Sequence, residues 1–166
     1  MYPHHHETSV PIPASPAEVF AFVDDHSRLS SHMSKRSWMM GGGSMTLETD
    51  AMHGRAVGSH LKLMGVVWGL HLWLEEVVTE RIPPRRKVWE TVGSPRLVVI
   101  GSYQMGFDIE GAERGSRLTV FIDYALPASG FGRWLGLVLG RSYANWCTTR
   151  MSHDAAEHFR QREAGA

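Results

Sequence analysis

Residues 103–126 read YQMGFDIEGAERGSRLTVFIDYAL and predict two adjacent antiparallel strands. Apolar and polar side chains alternate on either side of residues 112–115, a short glycine-containing turn. Pairing Ile109 with Leu118 keeps the apolar side chains of both strands on one face, whereas a shift of one residue would mix the two faces. The favoured register has these further partners: Phe107 with Val120, Met105 with Ile122, Tyr103 with Tyr124, Gln104 with Asp123 and Gly106 with Phe121.

The same alternation continues upstream, so we expect about six antiparallel strands between residues 44 and 126 and a short first strand over residues 8–13. Short connections favour an antiparallel arrangement, because a parallel crossover needs a dozen or more residues. Turn-forming residues predict the connections at His53-Gly54, Gly65, residues 82–84, residues 93–95 and residues 111–115. Val99 is expected on the same strand face as Tyr103.

Three helical segments flank these strands. Ser15, Pro16 and Glu18 have the spacing of a capping box with proline in the first turn, which predicts a short helix. A second short helix is expected over residues 27–33, with the three glycines at 41–43 ending this region. Residues 130–162 predict a long C-terminal helix, because apolar residues recur there at every fourth position. The stripe consists of Tyr143, Cys147, Met151, Ala155 and Phe159, and the other side carries Arg141, Arg150, Arg160 and Arg162.

The order of these elements resembles the helix-grip superfamily, and residues 12–20, IPASPAEVF, carry the likeness in sequence. This superfamily includes START lipid-transfer domains, polyketide cyclase/dehydrase-like proteins and other ligand-binding SRPBCC proteins. The resemblance implies one α+β domain over residues 1–166, with a curved antiparallel sheet of about six to seven strands wrapped around the long C-terminal helix. It also implies a cavity for a hydrophobic small molecule; some members catalyse and many only bind.

A ligand-binding cavity is therefore expected on the apolar face of the sheet. Tyr103 and Tyr124 would bring hydroxyl groups there, and a buried hydroxyl without a partner costs about 1–3 kcal/mol. The alternative is a close-packed core with no cavity. The expected ligand is a polyketide-, isoprenoid- or lipid-like molecule, held without cofactor or metal. The predicted ligand-binding residues are Tyr103, Met105, Phe107, Ile122, Tyr124, Trp89, Leu72, Trp134, Tyr143 and Trp146, and Trp68 and Trp73 complete the aromatic set.

Catalysis has weaker support in the sequence. His71 and Glu75 lie four residues apart on one strand and would form an acid–base pair if their face is concave. If Leu70, Leu72 and Leu74 face inward instead, this pair is solvated, and the leucine face is the more apolar one. We therefore expect binding rather than catalysis. The alternatives are a metal-free cyclase/dehydratase and a partner-dependent regulatory protein without a free ligand.

Three glycines, Gly132, Gly136 and Gly140, open the long helix at intervals of four residues. They indicate either a close approach of this turn to the sheet or to the short helices, or an exposed apolar lip over residues 131–139 at the cavity mouth. A lipid-like ligand would enter through this lip, or the lip would contact a membrane. Among protein partners, a second copy of the chain, forming a homodimer, is left open as an alternative.

Composition and charge exclude several classes of protein. The formal net charge is zero, which leaves no basic excess for binding nucleic acid. Cys147 is the only cysteine, so no internal disulfide forms, and its place on the apolar stripe indicates packing. No apolar run approaches the ~20 residues of a membrane-spanning helix. We expect a soluble, cytoplasmic protein.

The histidines do not predict a metal site. Three of them occupy residues 4–6, inside a terminal segment, residues 1–6, that we expect to be flexible. His153 and His158 lie roughly 140° apart around a helix, whereas zinc-binding helices space their histidines at i and i+4.

Overall fold

The computed structural model describes residues 2–29, 44–67, 69–128 and 130–165. Within these ranges, a curved antiparallel sheet of seven strands packs around one long C-terminal helix, in the order β1-β7-β6-β5-β4-β3-β2. This is the helix-grip architecture that the resemblance implied. The elements in chain order are β1 (His4–Ile12), α1 (Pro16–Val23), α2 (His26–Leu29), β2 (Ser44–Thr49), β3 (His60–Val67), β4 (Leu70–Ile82), β5 (Arg86–Arg96), β6 (Tyr103–Ala112), β7 (Gly115–Tyr124) and α3 (Gly130–Ala164).

The register predicted for β6 and β7 is confirmed at every position. Ile109 pairs with Leu118, Tyr103 pairs with Tyr124, and Gly106 lies opposite Phe121. Glycine is needed at position 106, because a Cβ atom there would lie 2.6 Å from the Lys87 carbonyl oxygen and 2.7 Å from the Phe121 ring. The Phe121 side chain therefore covers the glycine on the outer face of the sheet.

The start of α1 is set by local hydrogen bonds. Ser15 caps the helix, with its hydroxyl accepting from the Glu18 amide, while the Glu18 carboxylate accepts from the Ser15 amide at 3.1 Å. This capping box confirms the prediction made from the Ser-Pro-Ala-Glu spacing. The helix then buries Val19, Phe20 and Val23 in the core. The second helix is described as His26–Leu29, and the remainder of the predicted segment, with the three glycines, lies outside the described residues.

A buried ion cluster joins the end of α1 to the sheet. Arg81 of β4 donates two hydrogen bonds to the Asp24 carboxylate, at 3.1 and 2.9 Å. Lys87 of β5 is fully buried, and its ammonium group lies 3.0 Å from the same carboxylate and donates to the Asp24 carbonyl. Burial works against the charged form of Asp24, but the bonds from Arg81 and Lys87 hold the pKa of this carboxyl below its usual value.

The long helix α3 lies against β1 and β7, with the predicted apolar stripe turned inward. Cys147, Met151 and Phe159 are buried, and Tyr143 is half-buried. The helix is also bonded to β1, since the Thr8 and Thr148 hydroxyls lie 2.9 Å apart. The predicted arginines of α3 are exposed, as expected: Arg141, Arg150, Arg160 and Arg162. Among the described residues, no helix has the length and apolar character needed to cross a bilayer.

Four details of the predicted strands are wrong. The first strand begins at His4 rather than residue 8, so residues 4–6, expected to be flexible, pair with β7. Gly65 lies inside β3 opposite Leu72, and the turn instead contains Gly69, whose φ is +74°. Residues 93–95 lie within β5, where Gly93 at φ +68° accompanies a shift in register rather than a turn. Val99 precedes β6 and shares no face with it.

Two glycines with positive φ differ in the room available for a side chain. Comparing them separates the cost of backbone strain from the cost of a steric clash. Gly115 has φ +108°, and a Cβ atom there would collide with the backbone of residues 12–14, whereas Gly58 has φ +85° with nothing within 4 Å. We expect Gly58→Ala to lower the free energy of unfolding by about 1 kcal/mol, from backbone strain alone. Gly115→Ala should lower it by roughly 3 kcal/mol, because the backbone must also move. Denaturant unfolding of both variants measures the difference, and equal losses would contradict the steric argument.

Candidate functional site

The candidate site is the space between the inner face of the sheet and α3. Its free volume is about 40 Å³. Strands β3 to β7, the segment between β5 and β6, α2 and the middle of α3 contribute to its wall, which is mainly apolar. The lining side chains are His26, Leu29, Leu63, Leu74, Glu76, Trp89, Leu97, Ile100, Tyr103, Met105, Ile122, Tyr143, Cys147 and Met151.

This space has the predicted position, but it is much smaller than a ligand. A water molecule takes about 30 Å³ in the liquid, whereas pockets for small organic molecules measure roughly 300–1,000 Å³. A free volume of about 40 Å³ does not confirm a cavity large enough for an organic guest. The structure shows a nearly filled interior, so binding requires side chains of the wall to move.

A polar cluster interrupts the apolar wall. The Glu76 side chain of β4 is buried, and its carboxylate accepts a short hydrogen bond from the Tyr103 hydroxyl of β6. The His26 Nε2 atom lies 3.7 Å from the other carboxylate oxygen of Glu76. Three separate elements thus bring a carboxylate, a phenol and an imidazole together beside the free volume.

Burial changes the proton affinities in this cluster. Burial, reinforced by the neighbouring Glu76 carboxylate, raises the pKa of Tyr103 well above its usual value, which keeps the phenol protonated as a donor. Burial lowers the pKa of His26, although Glu76 opposes this shift. At neutral pH the imidazole is therefore uncharged, and an uncharged imidazole both donates and accepts hydrogen bonds.

A second pair of polar side chains lies on the helix side of the space. Burial raises the pKa of Tyr143 well above its usual value and that of Cys147 to about 12. A thiol that stays protonated is a poor nucleophile. Cys147 is thus a buried wall residue, in agreement with the packing role that the sequence indicated.

The structure favours the solvated alternative for His71 and Glu75, as the sequence indicated. The inner face of β4 carries Leu74, Glu76 and Val78, which puts His71 and Glu75 on the outer face. There His71 is exposed, and the Glu75 carboxylate lies 2.9 Å from the His60 ring. The reason is the one that favoured the solvated alternative, namely that the leucine face of this strand is the more apolar.

Glu76 lies on this inner face of β4, and its role was not predicted from the sequence. A carboxylate two residues beyond Leu74, on the face expected to be buried, is the signal that would have identified it. His26 gave no such signal, because it lies in a short polar segment after α1.

The other predicted ligand-binding residues divide between the wall and its surroundings. Phe107 is buried against Phe20, with ring centroids 5.7 Å apart, and Tyr124 stacks on His4 at 5.1 Å. Trp134 is exposed, so it lies outside the wall. Five predicted residues line the free volume: Trp89, Tyr103, Met105, Ile122 and Tyr143. Five do not: Phe107, Tyr124, Leu72, Trp134 and Trp146. Trp73 is half-buried and outside the lining set, and Trp68 lies outside the described residues.

The histidines considered above take part in local contacts. His5 bonds to Asp123 at 2.7 Å on the outer face, and His6 bonds to Asn145 at 3.1 Å. His158 stacks on Phe22 at 4.2 Å. No group of three or more metal-ligating side chains occurs within the described part of the chain.

Comparison with protein families gives a match over nearly the whole chain. The family model described as polyketide cyclase / dehydrase and lipid transport matches residues 3–158. The chain belongs to this family. The family covers both catalysts and carriers, so membership by itself does not choose between them. Comparison with curated proteins finds no match.

Solved structures confirm the fold of this polyketide cyclase/dehydrase-family protein. TTHA0849 from Thermus thermophilus superposes with a TM-score of 0.70 at 16% identity, covering 96% of this chain and 99% of that one. The Zhui aromatase/cyclase from Streptomyces sp. R1128 gives 0.70 at 10% identity, covering 96% and 94%. Ara h 8.0201 gives 0.57 at 12% identity, covering 92% and 97%. At these identities the likeness shows the fold alone.

The buried His26 predicts a loss of stability in acid. Its pKa is lowered in the folded state from the ordinary 6.5, so below about pH 6.5 the unfolded chain takes up a proton that the folded protein resists. The free energy of unfolding should then fall by up to about 1.4 kcal/mol per pH unit from this group. Glu76 and Asp24 act against the shift, and Lys87 adds to it.

Denaturant unfolding at about pH 7.5 and pH 5.5 tests this linkage. His26→Gln should reduce the loss of stability on acidification. His5→Gln is the matched control with the opposite sign, because the bond to Asp123 raises the pKa of His5 and its removal should increase the loss. An unchanged pH dependence in His26→Gln would contradict the assignment.

Proposed function

We propose that this protein binds a small hydrophobic molecule between the sheet and α3, with the polar end of the molecule directed at Glu76 and Tyr103. One observation carries the proposal: a buried carboxylate–phenol pair lies on a mainly apolar wall, beside free volume. Membership in the polyketide cyclase / dehydrase and lipid transport family supports it.

The two parts of the wall would have different roles. Apolar side chains supply affinity, because each buried CH₂ of a guest contributes about 0.8 kcal/mol. The Tyr103 hydroxyl donates to one Glu76 oxygen, which leaves the other Glu76 oxygen and the Tyr103 oxygen as acceptors, so together they suit a hydroxyl group on the guest. Since a buried polar group without a partner costs about 1–3 kcal/mol, the pair selects guests that carry such a group.

Entry of the guest requires an enlargement of the present space. Two methionines, Met105 and Met151, lie on opposite sides of it, and methionine adapts to irregular shapes because its three side-chain bonds rotate freely. Leu97 and Ile100 lie on the segment between β5 and β6, which is not held in a strand ladder. These four side chains are the ones that we expect to rearrange.

Filling the space with a larger side chain tests the location. We expect wild-type protein to bind the dye 1-anilinonaphthalene-8-sulfonate, and Met105→Trp to weaken that binding by at least about tenfold, because the indole occupies the guest's position. Met64→Trp is the matched control, since Met64 is exposed on the outer face. Circular dichroism checks that both variants fold.

The natural ligand can be sought directly. Mass spectrometry of organic extracts should find a lipophilic molecule in natively purified wild-type protein and not in Met105→Trp. Unchanged dye affinity in the filled variant, with no molecule extracted from either protein, would contradict the proposal.

A second candidate is a metal-free cyclase/dehydratase acting on a poly-β-keto chain. The observation in its favour is the placement of ionisable groups on the wall, which this chemistry needs. Glu76 would take a proton from a carbon between two carbonyl groups, and the resulting enolate carbon would form a bond to a second carbonyl carbon. The new alkoxide would take the Tyr103 proton, and Glu76 would pass its proton to Tyr103. Glu76 would then remove the remaining proton from the same carbon while the C–O bond breaks and a C=C bond forms. The hydroxyl would leave as water with the Tyr103 proton, which Glu76 again replaces.

The two candidates differ in what Glu76→Gln does. For an enzyme, we expect cyclisation of a poly-β-keto substrate to slow by about 10²–10⁴-fold, since the base is lost. Glu75→Gln is the matched control, one residue away on the outer face. Turnover by wild type that is lost only in Glu76→Gln supports the enzyme. Substrate binding without turnover in wild type supports the carrier.

A further inference from the structure

The first turns of α3 expose a compact apolar surface. Phe131, Trp134, Leu137 and Val138 are 72%, 59%, 65% and 57% exposed, respectively. The Phe131 and Trp134 rings stack with centroids 5.9 Å apart. We call these four residues the apolar face of α3. Single exposed apolar residues are ordinary on protein surfaces, but four adjacent ones that include two aromatic rings indicate a contact.

The opposite side of the helix explains why the apolar face cannot turn inward. Gly136 meets the Val99 carbonyl oxygen, since a Cβ atom at this position would lie 2.6 Å from it. Gly132 meets the Val98 carbonyl oxygen in the same way, at 3.2 Å. Rotation of the helix would bring large side chains into this narrow contact. The sequence indicated a close approach at the glycines and an exposed apolar lip as alternatives. Both occur, on two sides of the same helix.

The charge around the apolar face is positive. Arg133 and Arg141 are exposed on the same turns, and Arg150 follows further along the helix. No Asp or Glu precedes Asp154 in α3. Aromatic rings with nearby arginines are typical of helices that lie in the interface of an anionic bilayer.

We propose that the apolar face of α3 docks on an anionic lipid surface. The four side chains would enter the headgroup region while Arg133 and Arg141 contact lipid phosphates. A second copy of the chain fits less well, because stable protein interfaces need about 20–30 residues a side. The first turns of α3 contact Val98 and Val99, which lie in sequence between Leu97 and Ile100 of the cavity wall. The apolar face is therefore close to the side chains that we expect to move when a guest enters. The docking itself does not depend on the proposed binding function.

Co-sedimentation with lipid vesicles tests this surface. We expect wild-type protein to bind vesicles of phosphatidylcholine mixed with phosphatidylglycerol and to bind pure phosphatidylcholine vesicles more weakly. Phe131→Ser with Trp134→Ser should weaken binding by at least about tenfold. Met52→Ser with Val57→Ser is the matched control, because those residues are 56% and 61% exposed elsewhere and should leave binding unchanged.

The charge contribution is tested separately. Arg133→Glu with Arg141→Glu should weaken binding by roughly fivefold per charge, and added salt should weaken wild-type binding as well. Arg114→Glu with Arg117→Glu is the control for net charge, because Arg114 lies in the turn between β6 and β7, Arg117 lies near the start of β7, and both are exposed. Glu76→Gln should bind vesicles as wild type does, which separates this test from the cavity proposal.

Three results would overturn the proposal. The first is no binding of wild-type protein to either vesicle. The second is equal binding to both vesicles, which would exclude an anionic surface as the partner. The third is a combination of results: light scattering shows that the wild type is a dimer, Phe131→Ser with Trp134→Ser is a monomer, and the wild type does not bind vesicles. This combination would assign the apolar face to a second copy of the chain.

Discussion

The apolar inner face of the sheet has to be shielded from water, and α3 does so in two ways along its length. From Cys147 onward its side chains fill the core, with Met151 and Phe159 buried against the sheet. In its first turns glycine takes their place, and the helix backbone approaches the carbonyl groups of Val98 and Val99. The large side chains of these turns must then lie outside. The free volume beside Cys147 lies between the glycine–backbone contacts of the first turns and the side-chain packing of the later turns.

Two buried polar clusters lie beneath the sheet, and their surroundings separate a structural role from a functional one. Asp24 has charged partners on both sides, Arg81 and Lys87, and none of the three lines the interior space. Such a cluster is costly to break, since removing one partner leaves an uncompensated buried charge. Glu76 has the Tyr103 hydroxyl and a neutral His26 as neighbours, and all three line the free volume. A guest in the interior free volume can reach the second cluster and not the first, which is why the functional proposals rest on Glu76.

Much of the fold was predictable because local patterns specify it. The register of β6 and β7 follows from period-two alternation, where a slip by one residue would mix the apolar and polar faces, and the Ser15 capping box marks the start of α1. The candidate site was predictable only in part. Tyr103 and Met105 share the apolar face of a well-patterned strand, whereas Glu76, Tyr103 and His26 belong to three elements distant in sequence. Spacing within one strand led instead to His71 and Glu75, because a single sequence shows no contact between distant elements. The free volume depends on side-chain packing, which periodicity does not describe.

A nearly filled interior is compatible with binding if the guest replaces contacts rather than water. The space near Glu76 is small and its wall is mainly apolar, so few water molecules need to leave it. The favourable free energy of binding would come from removing the guest's own apolar surface from water. Moving Met105 and Met151 breaks dispersion contacts that an apolar guest restores. The Tyr103–Glu76 hydrogen bond is different, because a guest must accept from or donate to this pair to compensate for disturbing it. Hydrogen bonds to charged groups contribute about 1.5–3 kcal/mol, enough to favour one orientation of a guest and too little to bind it alone. Apolar area would therefore determine affinity, and Glu76 with Tyr103 would determine which end of the guest enters first.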